Sequence, residues 1–326
     1  MGVTYDLVYA NEDMEDLGVL VRYALDLAIG ADENDFELVV DMSSHVCREG
    51  YYIYIEGTEY GGIVDAIRVR TAEKDITYKG RTWQGILGSK VLEPDAGEDY
   101  LVISGEANLA IGKLLERIGL SGLFVASRED SGLGINNYRM NRYIDGYTGL
   151  VKMLASAGGK LKISFQNRKV VLEAVPEMDY SQDEQLDSDL VELDLEKGYH
   201  PVNHVICLGK GDLAGREVVH LYADREGGIG KGQQLVGLEE VTAVYENVNA
   251  ESMEELEQGG ISLMEESRAA ASRMSMSFNS DDDVYDVGDT VGAVEHVTGI
   301  MATERISKKI VGISNGNINI EYKVGE

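Results

Sequence analysis

The chain has 326 residues, 44% of them hydrophobic, enough for two or three domains that each bury a core. It carries 58 acidic against 29 basic residues, a formal charge of −29. Such a surface repels a phosphate backbone, which excludes a sequence-specific nucleic-acid binder needing a positive face to release counterions. No apolar run is long enough to span a bilayer. The opening stretch, MGVTYDLVYANEDMEDLG, lacks the basic start and apolar core of a secretory signal, and Asp6 stands where a myristoylation motif wants Ser or Thr. Cys47 and Cys207 sit far apart in apolar stretches and read as reduced, buried thiols.

Positions 1–92 read as mostly β. The run EDLGVLVRYALDLAIG (15–30) spaces Leu17, Leu20, Val21, Leu25 and Ala28 as a helix would, yet the same run could hold a strand. YYIYIEG (51–57), IVDAIRVR (63–70) and ITYKG (76–80) follow as short strands separated by TEYGG and TAEKD turns, the spacing of a meander or small barrel. Pro94 and DAGED mark a linker. SGEANLAIGKLLERIGL (104–120) reads as a helix capped by Ser104, with Ala107, Ala110, Ile111, Leu114, Leu115 and Ile118 buried and Gly119 at its end. GYTGLVKMLASAGG (146–159) is a second helix. KLKISFQ and KVVLEAV then flank Asn167-Arg168 as a hairpin, so 93–180 is a small α+β unit.

The stretch 181–198 is acidic and turn-rich. NHVICLG (203–209) and REVVHLYAD (216–224) read as strands, and NAESMEELEQGGISLMEESRAAAS (249–272) as helix in two pieces divided at Gly259-Gly260. Four strand-like runs close the chain, the last two joined by an SNGN turn.

Candidate chemistry is sparse. REGGIGKGQQ lacks the glycine before and the Ser or Thr after Gly230-Lys231 that a phosphate loop requires. His200, His204, Cys207 and His220 invite a zinc reading, but a strand turns His204 and Cys207 to opposite faces. NSDDDVYDVGD clusters carboxylates, yet counting from Asp281 puts Asp286 where a calcium loop needs glycine, so it reads as a solvated turn. No nucleophile elbow appears. The remaining signal is YKGRTWQGILGSKVLEP (78–94), which holds the single tryptophan. Trp83 with Arg81 reads either as a packing plug, the arginine bridged to one of the many acids, or as a subunit contact, since both types are enriched at interface centres.

Three blocks add a resemblance. YGGIVDAIRVRTAEKDITYKGRTWQGILGSKVLEP, the helix SGEANLAIGKLLERIG and the ending DVYDVGDTVGAVEHVTGIMATERISKKIVGISNGNINIEYKVGE together resemble a family of siphophage and prophage tail proteins. That family is similar to the baseplate hub, or tail-tip, proteins of phage tails. The resemblance implies an α+β, mostly β fold. It places tube-like β-barrel domains at 1–92 and 181–326, an inserted α+β domain at 93–180 and a helical insertion near 249–272. It further implies a homotrimer whose barrels make a pseudo-sixfold ring on the tail tube, contacts with other tail or baseplate proteins, and DNA only in transit. The location is the virion tail, after synthesis in the bacterial host cytoplasm. No catalytic group, cofactor or metal is expected; Arg81 and Trp83 stand as interface or packing candidates. The alternatives are a tail-tip cell-wall hydrolase and a receptor- or carbohydrate-binding module built on YYIYIEGTEY.

Overall fold

The computed structural model describes residues 6–181, 185–187, 191–197, 201–225, 227–250, 252–280, 283–314 and 317–325. The chain forms two compact units, Met1–Glu192 with Met276–Glu326, and Leu193–Ser275. Strand outweighs helix, 46% against 18%, so the fold is α+β and mostly β. Among the described residues no helix is long and apolar enough to cross a membrane.

Alternation builds the main sheet of the first unit. Leu25, Leu27 and Ile29 point inward from the strand Ala24–Gly30, and Phe36, Leu38 and Val40 from Asp35–Asp41. The run 15–30, open to either reading, is two strands, Asp16–Leu20 and Ala24–Gly30. Ladders on both sides of Ala24–Gly30, to Asp35–Asp41 and to Met301–Ser314, decide for alternation over helical spacing. Val21, on the helical stripe, is left 83% exposed.

Across this sheet the order is Ser272–Ser280, Asn317–Val324, Met301–Ser314, Ala24–Gly30, Asp35–Asp41, Asp75–Thr82, Gly61–Arg70, Tyr52–Tyr54, Leu7–Ala10 and Asp16–Leu20. The ladders along it are antiparallel. The two closed barrels expected from 1–92 and 181–326 are corrected here: the sheets stay open. The physical reason is pairing. Met301–Ser314 lies between Asn317–Val324 and Ala24–Gly30, so strands from both ends of the chain share one sheet.

Among the described residues of this unit three α-helices form. Helix α1 spans Trp83–Gly88, where no helix was expected, and the Thr82 hydroxyl caps it by accepting Gly85 N–H. Helix α2 spans Ala107–Arg117. Its cap is Glu106, whose carboxylate accepts Asn108 and Leu109 N–H. The expected cap, Ser104, lies in the strand Leu101–Glu106 and bonds Asn137 instead. Gly119 follows α2 at φ 71°, a left-handed stop. Helix α3, Gly146–Ala155, is capped by Asp145. The hairpin Gly159–Gln166 and Lys169–Pro176 turns at Asn167 and Arg168, both at positive φ as a two-residue type I′ turn demands. These helices and strands bury Leu114, Leu115, Leu150, Leu154, Phe165 and Leu172 in one core.

The second unit has a sheet ordered Ile229–Gly230, Val218–Ala223, His204–Leu208 and Thr242–Glu246. Helix α4, Met253–Ala271, runs unbroken through Gly259-Gly260, where a break was expected. A Cβ on Gly260 would stand 2.3 Å from Cys207 Sγ, and one on Gly259 2.3 Å from the Tyr245 ring. The glycines therefore let the helix settle close onto its neighbours and do not interrupt it. Val205, Cys207, Leu221, Leu256 and Met264 form the core beneath.

Candidate functional site: a buried charge cluster

The densest chemistry of the first unit gathers around Lys309. In the strand Met301–Ser314 the pairing register shifts between Ile306 and Lys308, a bulge that re-aims the side chains that follow. Lys309 then takes the inward position that Val311 and Ile313 continue, and it is 0% exposed. Lys308 pairs separately, with Glu33 at 2.5 Å and Asp32 at 3.4 Å.

Carboxylates from separate stretches converge on Lys309. Its Nζ contacts Glu59, in the turn before Gly61–Arg70, and lies 2.9 Å from Asp283 and 3.8 Å from Asp286. Lys160, on the strand Gly159–Gln166, reaches Asp286 at 2.8 Å and Asp289 at 2.7 Å. Tyr60 donates its hydroxyl to Asp283 at 2.5 Å, and Gln84 from α1 donates to Glu59 at 2.8 Å. Two lysines thus face Glu59, Asp283, Asp286 and Asp289.

Burial and charge pull the cluster in opposite directions. Burial works against the Lys309 ammonium, but Glu59, Tyr60, Asp283 and Asp286 outweigh it and hold its pKa well above the ordinary range. Lys160 is raised in the same way: burial opposes its charge, while Asp286 and Asp289 support it. Glu59 moves up because burial disfavours its anion more than Lys309 favours it. Asp286, whose side chain keeps 41% of its exposure, is lowered because the two lysines outweigh its partial burial. Such a cluster ties sequence-distant strands together, and removing one partner strands the others in low dielectric. The carboxylate run 279–289 is therefore corrected from a solvated turn: Asp289 is 0% exposed and Asp286 binds Lys160. Asp281 and Asp282 lie outside the described residues.

The strand Asp75–Thr82 runs straight into α1, which places Arg81 and Trp83 at one junction. Trp83 is 0% exposed, so it offers no surface of this chain to a partner. Its ring stacks on Phe165 at 5.6 Å and Tyr52 at 6.2 Å, and among the described residues its indole N–H has no hydrogen-bond partner. Gly61 makes room beneath it; a Cβ there would stand 2.7 Å from the ring. Arg81 forms a bidentate pair with Asp65, Nε at 2.8 Å and Nη2 at 2.7 Å, and its side chain keeps 42% of its exposure. Hydrogen bonds from Arg81 hold the Asp65 carboxyl below its usual range.

The other sequence candidates separate in space. His204 Nδ1 lies 2.7 Å from Glu240, and its Nε2 lies 2.9 Å from His220 Nδ1. Cys207 instead enters the apolar core, and His200 lies outside the described residues. Among the described residues no three His, Cys, Asp or Glu side chains are grouped to hold a metal ion. Lys231 pairs with Glu257 at 2.7 Å. Cys47 is buried, which pushes its thiol up to about 12. Sequence reasoning missed Lys309, Lys160 and Glu59. The only available signal was two adjacent lysines, KK at 308–309, within an otherwise alternating strand.

No family model matches the chain, and no curated protein matches it by sequence. Solved structures do match it from end to end. A tail protein from Neisseria meningitidis MC58 is 12% identical, with TM-score 0.54, over 99% of this chain and 97% of that one. The prophage MuSo2 43 kDa tail protein from Shewanella oneidensis is 11% identical, with TM-score 0.57, over 98% of both chains. The prophage tail protein gp18 from Listeria monocytogenes EGD-e is 11% identical, with TM-score 0.54, over 98% of this chain and 94% of that one. The resemblance to phage and prophage tail proteins read from the sequence is thus a shared fold, spanning nearly the whole chain.

Proposed function

We propose that this chain is a structural subunit of a phage or prophage tail, acting as a hub or tail-tip component without catalytic activity. The observation that carries the reading is end-to-end coverage: three tail proteins align over 98% or more of this chain, and each aligns over at least 94% of its own length. A shared domain within otherwise different proteins would not give that. In this proposal three copies form a pseudo-sixfold ring on the tail tube, with 93–180 as the inserted α+β domain and tube-like β-domains on either side of it in sequence. The charge of −29 supports a conduit role, because an acidic wall lets DNA pass without holding it. Arg81 and Trp83 mark the proposed contact region: the exposed guanidinium meets a neighbour while the buried indole supports it from within.

The test is size exclusion with light scattering on the full chain, alone and with the tube protein of the same tail operon. The expected result is a trimer, formed alone or on the tube partner. A monomer under both conditions overturns the ring. Lysis of purified cell walls by the chain would overturn the non-catalytic reading.

A further inference from the structure

We propose that an arginine–tyrosine face in the 93–180 segment docks onto the acidic surface of a second copy of this chain; the inference rests on the ring reading above and gives it a surface. The face is built by alternation. The strand Leu101–Glu106 pairs antiparallel with Gly134–Met140, Leu101 opposite Met140 and Val102 opposite Arg139. Leu101 and Met140 are buried in the core, which turns Val102 and Arg139 outward. The register shifts between Ile135 and Tyr138, and Ser104 pins that bulge: its hydroxyl accepts Asn137 N–H at 3.0 Å and donates to the Asn137 side-chain oxygen at 3.1 Å. Tyr100 is 47% exposed, Val102 52% and Tyr143 61%.

Arginines elsewhere find carboxylates: Arg81 pairs with Asp65, Arg117 with Asp95 and Arg216 with Glu246. Arg139 and Arg142 form no ion pair among the described residues. Their guanidinium carbons lie 5.9 and 5.6 Å from the ring centres of Tyr100 and Tyr143 instead. A guanidinium held over a ring keeps N–H donors for a carboxylate. Tyr143 also stands at φ 56°, a conformation that bulky side chains rarely adopt and that gathers at sites of contact.

Charge names the occupant. Segment 93–180 holds 12 acidic and 10 basic residues, whereas the rest of the chain holds 46 acidic and 19 basic. Two copies that bring their acidic parts together repel. A nearly neutral segment carrying two arginines without carboxylates meets such a part with attraction. Contact between unlike patches is head-to-tail, and it closes into a ring where the rotation allows. Tyrosine and arginine are also the types on which interface energy concentrates.

The test places the photo-crosslinking residue benzoylphenylalanine at position 100 in a mixture of ordinary and isotope-labelled full chains, alone and with the tube protein of the same tail operon. The expected crosslinks join a labelled to an unlabelled chain and map to 1–92 or 181–326 of the second copy. Arg139→Glu combined with Arg142→Glu, folded as judged by circular dichroism, should weaken trimer assembly by roughly tenfold or more. Crosslinks confined to one chain, or made only to the tube protein, overturn the proposal. So does a trimer that the double reversal leaves unchanged, and the tail reading then stands. Retention of DNA or of a cell-wall glycan that the double reversal abolishes, with the trimer intact, assigns the face to that ligand and overturns the proposal too. A wild-type monomer in light scattering under both conditions fails the ring itself and this surface with it.

Discussion

The two units keep their charges in opposite places. The first holds Lys309 and Asp289 fully buried at its centre, with Lys160 nearly so. The second fills its core with Val205, Cys207, Leu221, Leu256 and Met264. Among its described residues the lysine and arginine ion pairs, Arg216–Glu246, Arg225–Glu239 and Lys231–Glu257, each keep at least one side chain well exposed. The difference teaches that one chain can hold its strands by two different forces. The first unit adds matched charge to an apolar core. The second depends on volume and close contact.

That contrast can be broken by substitution. Because Trp83 is the single tryptophan and lies in the first unit, its fluorescence follows that unit alone during denaturant unfolding. Thiol labelling of Cys207, read by peptide mapping apart from Cys47 of the first unit, follows the second. The largest effect is expected for Lys309→Ala, which empties a fully buried position and leaves the largely buried Glu59 without its cation, and costs about 3–5 kcal/mol in the tryptophan-detected transition. A loss below about 1 kcal/mol would mean that the cluster is hydrated and the contrast wrong. Gly260→Ala should cost about 1–3 kcal/mol in the thiol-detected transition, because its Cβ would meet Cys207 Sγ. Equal shifts in both transitions would show that the units unfold as one.

Acid sharpens the comparison further. At the start of α2, burial opposes the Glu106 charge. Donation from the Ser131 hydroxyl and from Asn108, Leu109 and Ser131 N–H outweighs it, so its pKa falls from 4.5 to about 2. A lowered carboxylate stabilises fully above its unfolded value of 4.5 and loses that contribution as pH falls toward about 2. Glu106→Gln should therefore flatten the acid limb of the tryptophan transition and leave the thiol transition unchanged. The smallest effect is expected for Arg216→Ala, whose partner Glu246 is exposed: about 0–1 kcal/mol, weakening further with added salt.

Legibility in the sequence followed the range of the signal. The helices at 104–120 and 146–159 and the hairpin at Asn167-Arg168 were readable because apolar spacing, glycine stops and turn residues act within a few positions, although the cap of the first is Glu106 and not Ser104. The open main sheet was not, because pairing Ala24–Gly30 with Met301–Ser314 joins opposite ends of the chain, and no local pattern records it. Gly259-Gly260 misled for the same reason: locally it reads as a break, and only Cys207 and Tyr245 above it explain the glycines. The charge cluster stayed hidden among so many acids. What marks Asp283 or Glu59 is a lysine far along the chain, brought near by a register shift.

The central claim is that the chain works by assembling into a ring of a tail. Negative-stain imaging of the full chain mixed with its tube protein tests this most directly. Rings with three-fold symmetry and an open centre, seated at the end of tube segments, are the predicted result. Single particles without a central opening, and bare tube ends at every ratio of the two proteins, would contradict it.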